Sequence, residues 1–211
     1  MCVNDFKYDI LNELFNVGVG KAASLLSEII SKTILLNIPQ IKILNRKDHE
    51  LNLEDYLPKV LDGTLMVSSI SFKERLTGKA NLIFPAKEMR TFINLCLNKT
   101  DDNISDDMNF TDIDFDVIKE IGNIILNCIL GEIGNHLDMK LDYTLPEVQV
   151  FDRIDFDKDI KRDECKSIII LYITFVIDGT EIRGAVLVDL TLNSLNELMK
   201  NLNLIEDEFN G

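Results

Sequence analysis

The nine residues that start at position 8 are Tyr8-Asp9-Ile10-Leu11-Asn12-Glu13-Leu14-Phe15-Asn16, and a similar stretch, Phe115-Asp116-Val117-Ile118-Lys119-Glu120-Ile121-Gly122-Asn123, starts at position 115. Both follow the order aromatic, Asp, two aliphatic residues, a polar residue, Glu, an aliphatic residue, any residue and Asn. A proline lies 23 residues after the final Asn in each case, at Pro39 and at Pro146. Self-similarity of this kind is the sign of an internal repeat. The chain is therefore predicted to contain two copies of one structural unit.

The remainder of each copy also follows a common order. Each copy is predicted to run helix, strand, strand, strand, helix, from its apolar periodicity and its β-branched content. The predicted segments after the two motif helices are short strands at 39–44 and 146–151, long strands at 63–75 and 166–178, further strands at 78–84 and 184–188, and amphipathic helices at 86–97 and 192–202. Acidic loops are predicted at about 45–62 and 152–165, and an acidic connection at 98–114 joins the copies.

The two copies are predicted to share one core. A unit of about 100 residues with three strands and two helices has a thin core and is expected to be only marginally stable alone. The run Ile168–Ile173 is apolar without alternation, so this strand is predicted to be covered on both faces. We therefore predict an α+β fold, internally duplicated and pseudo-two-fold, with a shared antiparallel sheet and helices packed on it. The domain prediction is a single domain, 1–211, made of two repeats at about 1–98 and 108–211.

The composition of the chain limits the classes of function that it can have. The chain has 211 residues, is 46% hydrophobic and carries a formal net charge of −14. That charge argues against nucleic acid or an anionic membrane as the main partner. The four cysteines are far apart and form no zinc or disulfide pattern. No apolar run is long enough to cross a bilayer and the N-terminus does not resemble a signal sequence, so we expect no membrane insertion and a cytoplasmic protein with free thiols.

The motif helices are predicted to expose one narrow polar strip each. On a helix with about 100° per residue, the first strip contains Asp9, Asn12, Glu13, Asn16, Gly20 and Ala23, and the second contains Asp116, Lys119, Glu120, Asn123 and Asn127. The rest of each circumference is mostly apolar, so each helix is predicted to be largely buried. Within a strip the Glu and the Asn are three residues apart and therefore neighbours. The alternative is that these are ordinary solvent-facing residues, with Asp9 and Asp116 favoured near a helix start by the helix dipole. One copy does not separate the two interpretations, and a second copy with the same proline offset favours a functional strip.

These residues resemble the signature of the CheC/CheX/FliY family of chemotaxis phosphatases. That signature is Asp or Ser, three residues, Glu, two residues, Asn, about 22 residues and Pro. Both copies match it in full, with Asp9, Glu13, Asn16 and Pro39 in the first, and with Asp116, Glu120, Asn123 and Pro146 in the second. The flank Asn16–Ala23 is similar to the family pattern N-x-G-x-G-x-A. Two complete motifs in one chain indicate the CheC-like type. One departure is Phe15, where the family usually has Gly, as at Gly122; we expect Phe15 to point into the core and to alter packing, not chemistry.

The resemblance implies an enzyme, a protein aspartyl-phosphate phosphatase (hydrolase) that acts on the aspartyl phosphate of a CheY-type response regulator in two-component signalling. Asn16 and Asn123 would enter the receiver's active site and position the attacking water. Glu13 and Glu120 would pair with the receiver's active-site lysine. For Asp9 and Asp116, a docking role and a role only at the helix start both remain open. The chain is expected to bind no metal or cofactor of its own, because the Mg²⁺ would lie on the receiver. A CheD-type protein is a further candidate partner.

Two other interpretations remain at this point. The resemblance extends to the middle domain of FliM, which shares the fold but lacks the Glu/Asn pairs, so a non-catalytic CheY-binding module of a flagellar switch or signalling scaffold is the main alternative. An unrelated αβ sensor domain would require both motifs to be coincidental. Neither His49 nor His136 has a nucleophile at a recognisable spacing, and Gly18-Val19-Gly20 is too short, and too deep in a helix, to bind a nucleotide phosphate.

Overall fold

The computed structural model describes residues 5–45, 56–57, 59–97, 109–162 and 167–210. Its helices are α1 (Asp5–Ile30), α2 (Ala86–Cys96), α3 (Asp112–His136), α4 (Arg153–Arg162) and α5 (Leu192–Asn210). Its strands are β1 (Ile34–Asn45), β2 (Thr64–Glu74), β3 (Gly78–Pro85), β4 (Leu141–Tyr143), β5 (Glu147–Asp152), β6 (Ser167–Ile177) and β7 (Thr180–Leu190). A short 3-10 turn at Lys59–Leu61 precedes β2.

The described strands form one seven-stranded sheet in which all pairs are antiparallel. The order is β1-β6-β7-β3-β2, and both β4 and β5 pair with β2 at the far edge. Exchanging β1 with β5, β2 with β6 and β3 with β7 leaves this order unchanged, as a pseudo-two-fold axis requires. The short strand of each half pairs with the long strand of the other half, β1 with β6 and β5 with β2. The shared antiparallel sheet predicted from the sequence is confirmed, and the two halves are interleaved within it.

Two glycines at equivalent positions bring the central strands β3 and β7 together. A Cβ added at Gly78 would lie 2.1 Å from the carbonyl oxygen of Asp189, and one added at Gly184 would lie 2.5 Å from the carbonyl oxygen of Ile83. Contacts this close with backbone atoms do not occur for real side chains, so the seam between the halves requires glycine on both strands.

Both faces of the sheet are covered, but unequally. The larger core lies between the sheet and α1, α2, α3 and α5, and it contains Phe15, Ile125, Phe92 and Leu198. A smaller core on the opposite face packs Phe156 of α4 and Leu61 against the sheet. Strand β6 contributes to both cores and is buried continuously over its first five residues. This confirms the prediction that the apolar run is covered on both sides.

The sequence prediction was wrong at residues 152–165, where a loop was expected and α4 forms. Although α4 is rich in charged residues, one side of it is apolar and buried. Phe156 on this side is 1% exposed and packs edge-on against Phe151, with the ring centroids 5.7 Å apart. Arg153 is also buried, and its guanidinium donates a hydrogen bond of 3.0 Å to the carbonyl oxygen of Leu61. The helix is therefore held by contacts with a distant part of the chain that local periodicity does not reveal.

The position of Pro39 also differs from the prediction. It does not open a strand but lies inside β1, where the register with β6 shifts between Asn37 and Gln40. Proline has no N–H to donate, so it is tolerated at an edge strand and at an irregularity of this kind. Pro146, in contrast, directly precedes β5. The short strand β4 was not predicted.

The start of the second motif helix is fixed by a buried ion pair. Thr111 and Asp114 form a reciprocal capping box at the N-terminus of α3. The carboxylate of Asp114 also accepts a hydrogen bond of 2.8 Å from Arg90 of α2. Arg90 donates a second hydrogen bond, of 2.7 Å, to the carbonyl oxygen of Asn109 and stacks on the ring of Phe110. This network joins α2 to the N-terminal end of α3.

Some predicted features fall outside the described residues, among them most of the acidic segment 45–62, residues 98–108 of the connection, His49, Cys2 and Cys165. Cys96 and Cys128 are free thiols and are half-buried. Within the described helices, none is both long enough and apolar enough to cross a membrane.

Candidate functional site

The two motif helices, α1 and α3, lie side by side and antiparallel on the same face of the sheet. They approach closely at Gly18, where an added Cβ would lie 2.9 Å from the Cα atom of Ile129 and 3.0 Å from the carbonyl oxygen of Cys128. The last turn of α1 lies next to the first turns of α3. Because both helices bury their apolar residues against the same core, both polar strips face outward on one surface.

The strip of α1 is exposed as predicted for most of its length. Asp9, Glu13, Asn16 and Gly20 are exposed, and Asn12 is half-buried. Ala23 is an exception, because it is only 8% exposed and belongs to the buried side of the helix. Neighbouring elements, which an angular projection of one helix does not include, cover this position.

The strip of α3 is exposed at its start and partly covered at its end. Asp116, Lys119 and Glu120 are exposed, while Asn123 and Asn127 are half-buried. The structure therefore places all six predicted site residues on the outward surface formed by α1 and α3, but Asn123 is less accessible than Asn16.

The carboxylates of the two motif glutamates have no side-chain partner among the described residues. Among the residues that the structure describes, neither Glu13 nor Glu120 takes part in an ion pair or a side-chain hydrogen bond. A solvated carboxylate with no internal partner is available to a cation on another molecule, which is what a docking role requires.

The two motif asparagines differ in their own contacts. The amide nitrogen of Asn127 donates a hydrogen bond of 2.7 Å to the amide oxygen of Asn123. The position of the first copy that corresponds to Asn127 is Gly20, around which an added Cβ would meet nothing within 4 Å. Asn123 is therefore restrained by a neighbour one turn away, whereas Gly20 offers Asn16 no such partner.

The residue before each motif asparagine differs between the copies, and the two helices therefore pack differently on the sheet. Phe15 is completely buried, as expected for a side chain that points into the core. At the equivalent Gly122, an added Cβ would lie 2.0 Å from the hydroxyl oxygen of Ser68 on β2. The second motif helix thus rests directly on the sheet at Gly122, and in the first copy an aromatic ring fills that layer.

The surroundings of the two Glu/Asn pairs are not equivalent. Beside the first pair, Glu132 of α3 is 4% exposed and forms an ion pair with Lys21 of α1, and its carboxylate also lies 2.9 Å from the imidazole Nδ1 of His136. Burial raises the pKa of the nearby Cys128 thiol, an effect that Lys21 partly opposes. Beside the second pair there is an open, mainly apolar groove whose wall includes Glu120. Sequence reasoning missed both features, although extending the repeat alignment beyond the asparagines would have shown that the flanking residues differ.

No metal site is evident in the described part of the chain, where no three His, Cys, Asp or Glu side chains come together. The expectation that the chain binds no metal of its own remains a prediction.

Comparisons with known proteins locate the chain among chemotaxis and flagellar proteins. No family model matches the sequence. A relative described as the CheY-P phosphatase CheC of Bacillus subtilis is 25% identical over 150 residues, which are 70% of this chain and 68% of that protein. The crystal structure of Thermotoga maritima FliY superposes with a TM-score of 0.72 at 16% identity, covering 96% of this chain and 98% of that one.

The chain is similar to members of the CheC/CheX/FliY family. The resemblance stated from the two motifs is therefore confirmed. The fold is also shared with the FliM middle domain of H. pylori, with a TM-score of 0.60 at 12% identity over 94% of this chain and 99% of that chain. At this identity the similarity to FliM shows a common fold only, so what distinguishes this chain must be sought in the side chains of its two strips.

Proposed function

We propose that this protein dephosphorylates the aspartyl phosphate of a CheY-type response regulator, at two sites formed by Glu13 with Asn16 and by Glu120 with Asn123. The observation that supports the proposal most directly is the presence of two exposed Glu/Asn pairs on helices that are otherwise buried. The B. subtilis relative, described as a CheY-P phosphatase, supports the same reaction class.

Hydrolysis of an aspartyl phosphate requires the enzyme mainly to position the attacking water. An aspartyl phosphate is a reactive acyl phosphate, so catalysis requires mainly that a water molecule be held in line with the phosphorus. An amide suits this role because it donates and accepts hydrogen bonds at once and does not titrate near neutral pH. Asn16 and Asn123 are proposed to supply these amides in the partner's active site.

The glutamates are proposed to set the docking register. Glu13 and Glu120 are exposed, one helical turn before the asparagines, and each would form an ion pair with the receiver's active-site lysine. Asp9 and Asp116 lie a further turn towards the N-terminus and are exposed as well. They are proposed to extend this acidic docking edge, the alternative being a role only at the helix start. The Mg²⁺ ion would remain with the receiver.

The second candidate is a non-catalytic CheY-binding module, which the fold shared with FliM favours. The two proposals make opposite predictions about phosphate release, because a binding module would protect or ignore the aspartyl phosphate. The decisive experiment is to add the protein to a phosphorylated CheY-type receiver with Mg²⁺ and to measure the release of inorganic phosphate.

The asparagine variants test which residues act. Asn16→Ala is expected to leave the activity of the second site, and Asn16→Ala combined with Asn123→Ala is expected to remove nearly all activity, since each strip carries its own pair. Asn16 is exposed, so Asn16→Ala should leave the melting temperature unchanged, whereas Asn123→Ala also removes the hydrogen bond from Asn127 and should lower the melting temperature by about 2–4 °C. A double variant that retained most of the wild-type rate would rule out this mechanism.

Loss of the glutamate and loss of the asparagine of one site should have different effects, one on receiver binding and the other on turnover. With Glu120 and Asn123 both changed to Ala, Glu13→Gln is expected to weaken receiver binding by about 2 kcal/mol or more, because the lysine of the partner is left without its counter-charge. Asn16→Ala on the same background is expected to lower kcat while binding persists. Titration of the receiver followed by single-turnover kinetics separates the two effects, and the opposite assignment would contradict the proposed roles.

A further inference from the structure

The residues that flank the two Glu/Asn pairs differ in a systematic way. The offset that aligns Asn16 with Asn123 also aligns Leu25 with Glu132 and Ile29 with His136. In the same way α2 aligns with α5 through their buried residues, which places Leu97 opposite Asn203. At all three positions the residue of the first copy is apolar and its counterpart in the second copy is polar.

Two of these apolar residues, Ile29 and Leu97, border a groove beside Glu120. The groove has a volume of about 450 Å³ and lies between the last turn of α1, the end of α2 and the first turns of α3. Its walls include Ile29, which is 62% exposed, and Leu97, together with Val117 and Ile124. Cys96 also lines the groove, and burial raises the pKa of its thiol to about 12, so the side chain remains neutral. Among the described residues that line the groove, Glu120 carries the only charge, and Ser31 and the neutral Cys96 thiol are the other polar side chains.

We propose that this groove is a second docking contact for the receiver, which makes the site of Glu120 and Asn123 the tighter of the two. The inference rests on the proposed function, because it assigns the receiver as the occupant. The reason is geometric. Glu120 forms part of the groove wall, so a protein whose lysine pairs with Glu120 lies directly beside the groove. The receiver that fits carries an apolar side chain next to the active-site lysine.

The first site offers its partner a different environment. There the equivalent positions hold Glu132 and His136, and Glu132 is already paired with Lys21. Covering this cluster would desolvate charged groups without burying apolar surface, which brings little net gain. Binding at the first site should therefore be weaker and should depend more on salt, since it relies on charge.

The experiment isolates the second site and removes one groove side chain. A protein with Glu13→Ala and Asn16→Ala is titrated with a CheY-type receiver carrying the beryllofluoride mimic of its phosphate. Adding Ile29→Ser is expected to weaken binding about tenfold, because an exposed isoleucine that becomes buried in a complex contributes on the order of one tenfold step in affinity. Leu97→Ser is expected to act in the same direction.

The matched control is Ile154→Ser, which removes an equally exposed isoleucine from α4 on the other face of the sheet and is expected to leave the affinity unchanged. The complementary protein, with Glu120→Ala and Asn123→Ala, is expected to bind the receiver more weakly and to lose affinity more steeply with added salt.

The possible outcomes distinguish a failure of the groove proposal from a failure of the proposed phosphatase activity. Equal affinity of the Ile29→Ser variant and its parent would overturn the groove proposal, and phosphate release by the wild type would still support the proposed function. Weakened binding without any phosphate release by the wild type would support the groove and overturn the phosphatase. A dimer of the parent protein that Ile29→Ser dissociates in sedimentation would show a second copy as the occupant, and would also overturn the proposal.

Discussion

Residues that occupy equivalent positions in the two halves do not have equivalent neighbours. Asn16 is exposed and lies one turn before Gly20, whereas Asn123 is half-buried and accepts a hydrogen bond from Asn127. An amide that is held in place before the partner arrives loses less conformational freedom on binding. The same motif can therefore give two sites of different efficiency, even though both contain the full set of signature residues.

Asn127 is accordingly expected to act as a positioning residue for Asn123. On the background that carries Glu13→Ala and Asn16→Ala, Asn127→Ala should lower kcat roughly fivefold, the effect of one lost hydrogen bond of about 1 kcal/mol. KM should change little, because the glutamate that docks the receiver is untouched. Asn135→Ala, at an exposed asparagine two turns further along α3, is the control. An increase in KM with an unchanged kcat would show that Asn127 contacts the receiver instead.

The elements that carry the sites are anchored by contacts between helices. The N-terminus of α3 is tied to α2 through Arg90 and Asp114. Burial raises the pKa of Asp114, but the hydrogen bonds from Thr111 and Arg90 outweigh this effect and hold the pKa below its usual value. The structure thus favours the ionised carboxylate, and this ion pair fixes the helix that presents Glu120 and Asn123.

The stability provided by Asp114 should depend on pH in a defined direction. Because the folded-state pKa lies below the unfolded value of about 3.9, the contribution is fully present above that value and is lost as the pH falls through the lower folded-state pKa. Asp114→Asn is expected to cost about 2 kcal/mol at pH 7, since it leaves the partly buried Arg90 without its counter-charge. In urea denaturation the difference from wild type should shrink below about pH 4.

Asp112→Asn is the control for this prediction, because Asp112 is an exposed acid in the first turn of the same helix. It should cost no more than about 1 kcal/mol, through the helix dipole alone. A stability difference for Asp114→Asn that stays constant down to pH 3 would contradict the role assigned to its charge.

The whole molecule depends on both halves, because each half supplies an edge strand to the other. The only direct pairing between equivalent strands of the described sheet is β3 with β7, where Gly78 and Gly184 allow close approach. The outward surface formed by α1 and α3 rests on this seam. Any change that separates β3 from β7 should therefore destabilise the entire fold and not one half.

Gly184→Ala tests the seam. The added methyl group would collide with the backbone of Ile83 and the ring of Phe84, so the free energy of unfolding is expected to fall by about 3 kcal/mol, in a single cooperative transition. The control is Gly131→Ala in α3, where an added Cβ meets nothing within 4 Å and alanine should stabilise the helix by up to about 1 kcal/mol. Two separate unfolding transitions in Gly184→Ala would show that the halves are more independent than the interleaved sheet indicates.

The sequence by itself determined the repeat pattern, the four helices α1, α2, α3 and α5, the principal strands, and the chemical groups on the two strips. These features follow from local periodicity and from the spacing of the motif, which a helix turns into a shared face. Only the tertiary structure decided that Ala23 is covered, that α4 forms around Phe156, and that Ile29 borders a groove while its counterpart His136 joins an ion-paired cluster. The reason is physical: burial, ion pairing and groove formation depend on residues brought close by the interleaved sheet, up to about a hundred positions away in the chain.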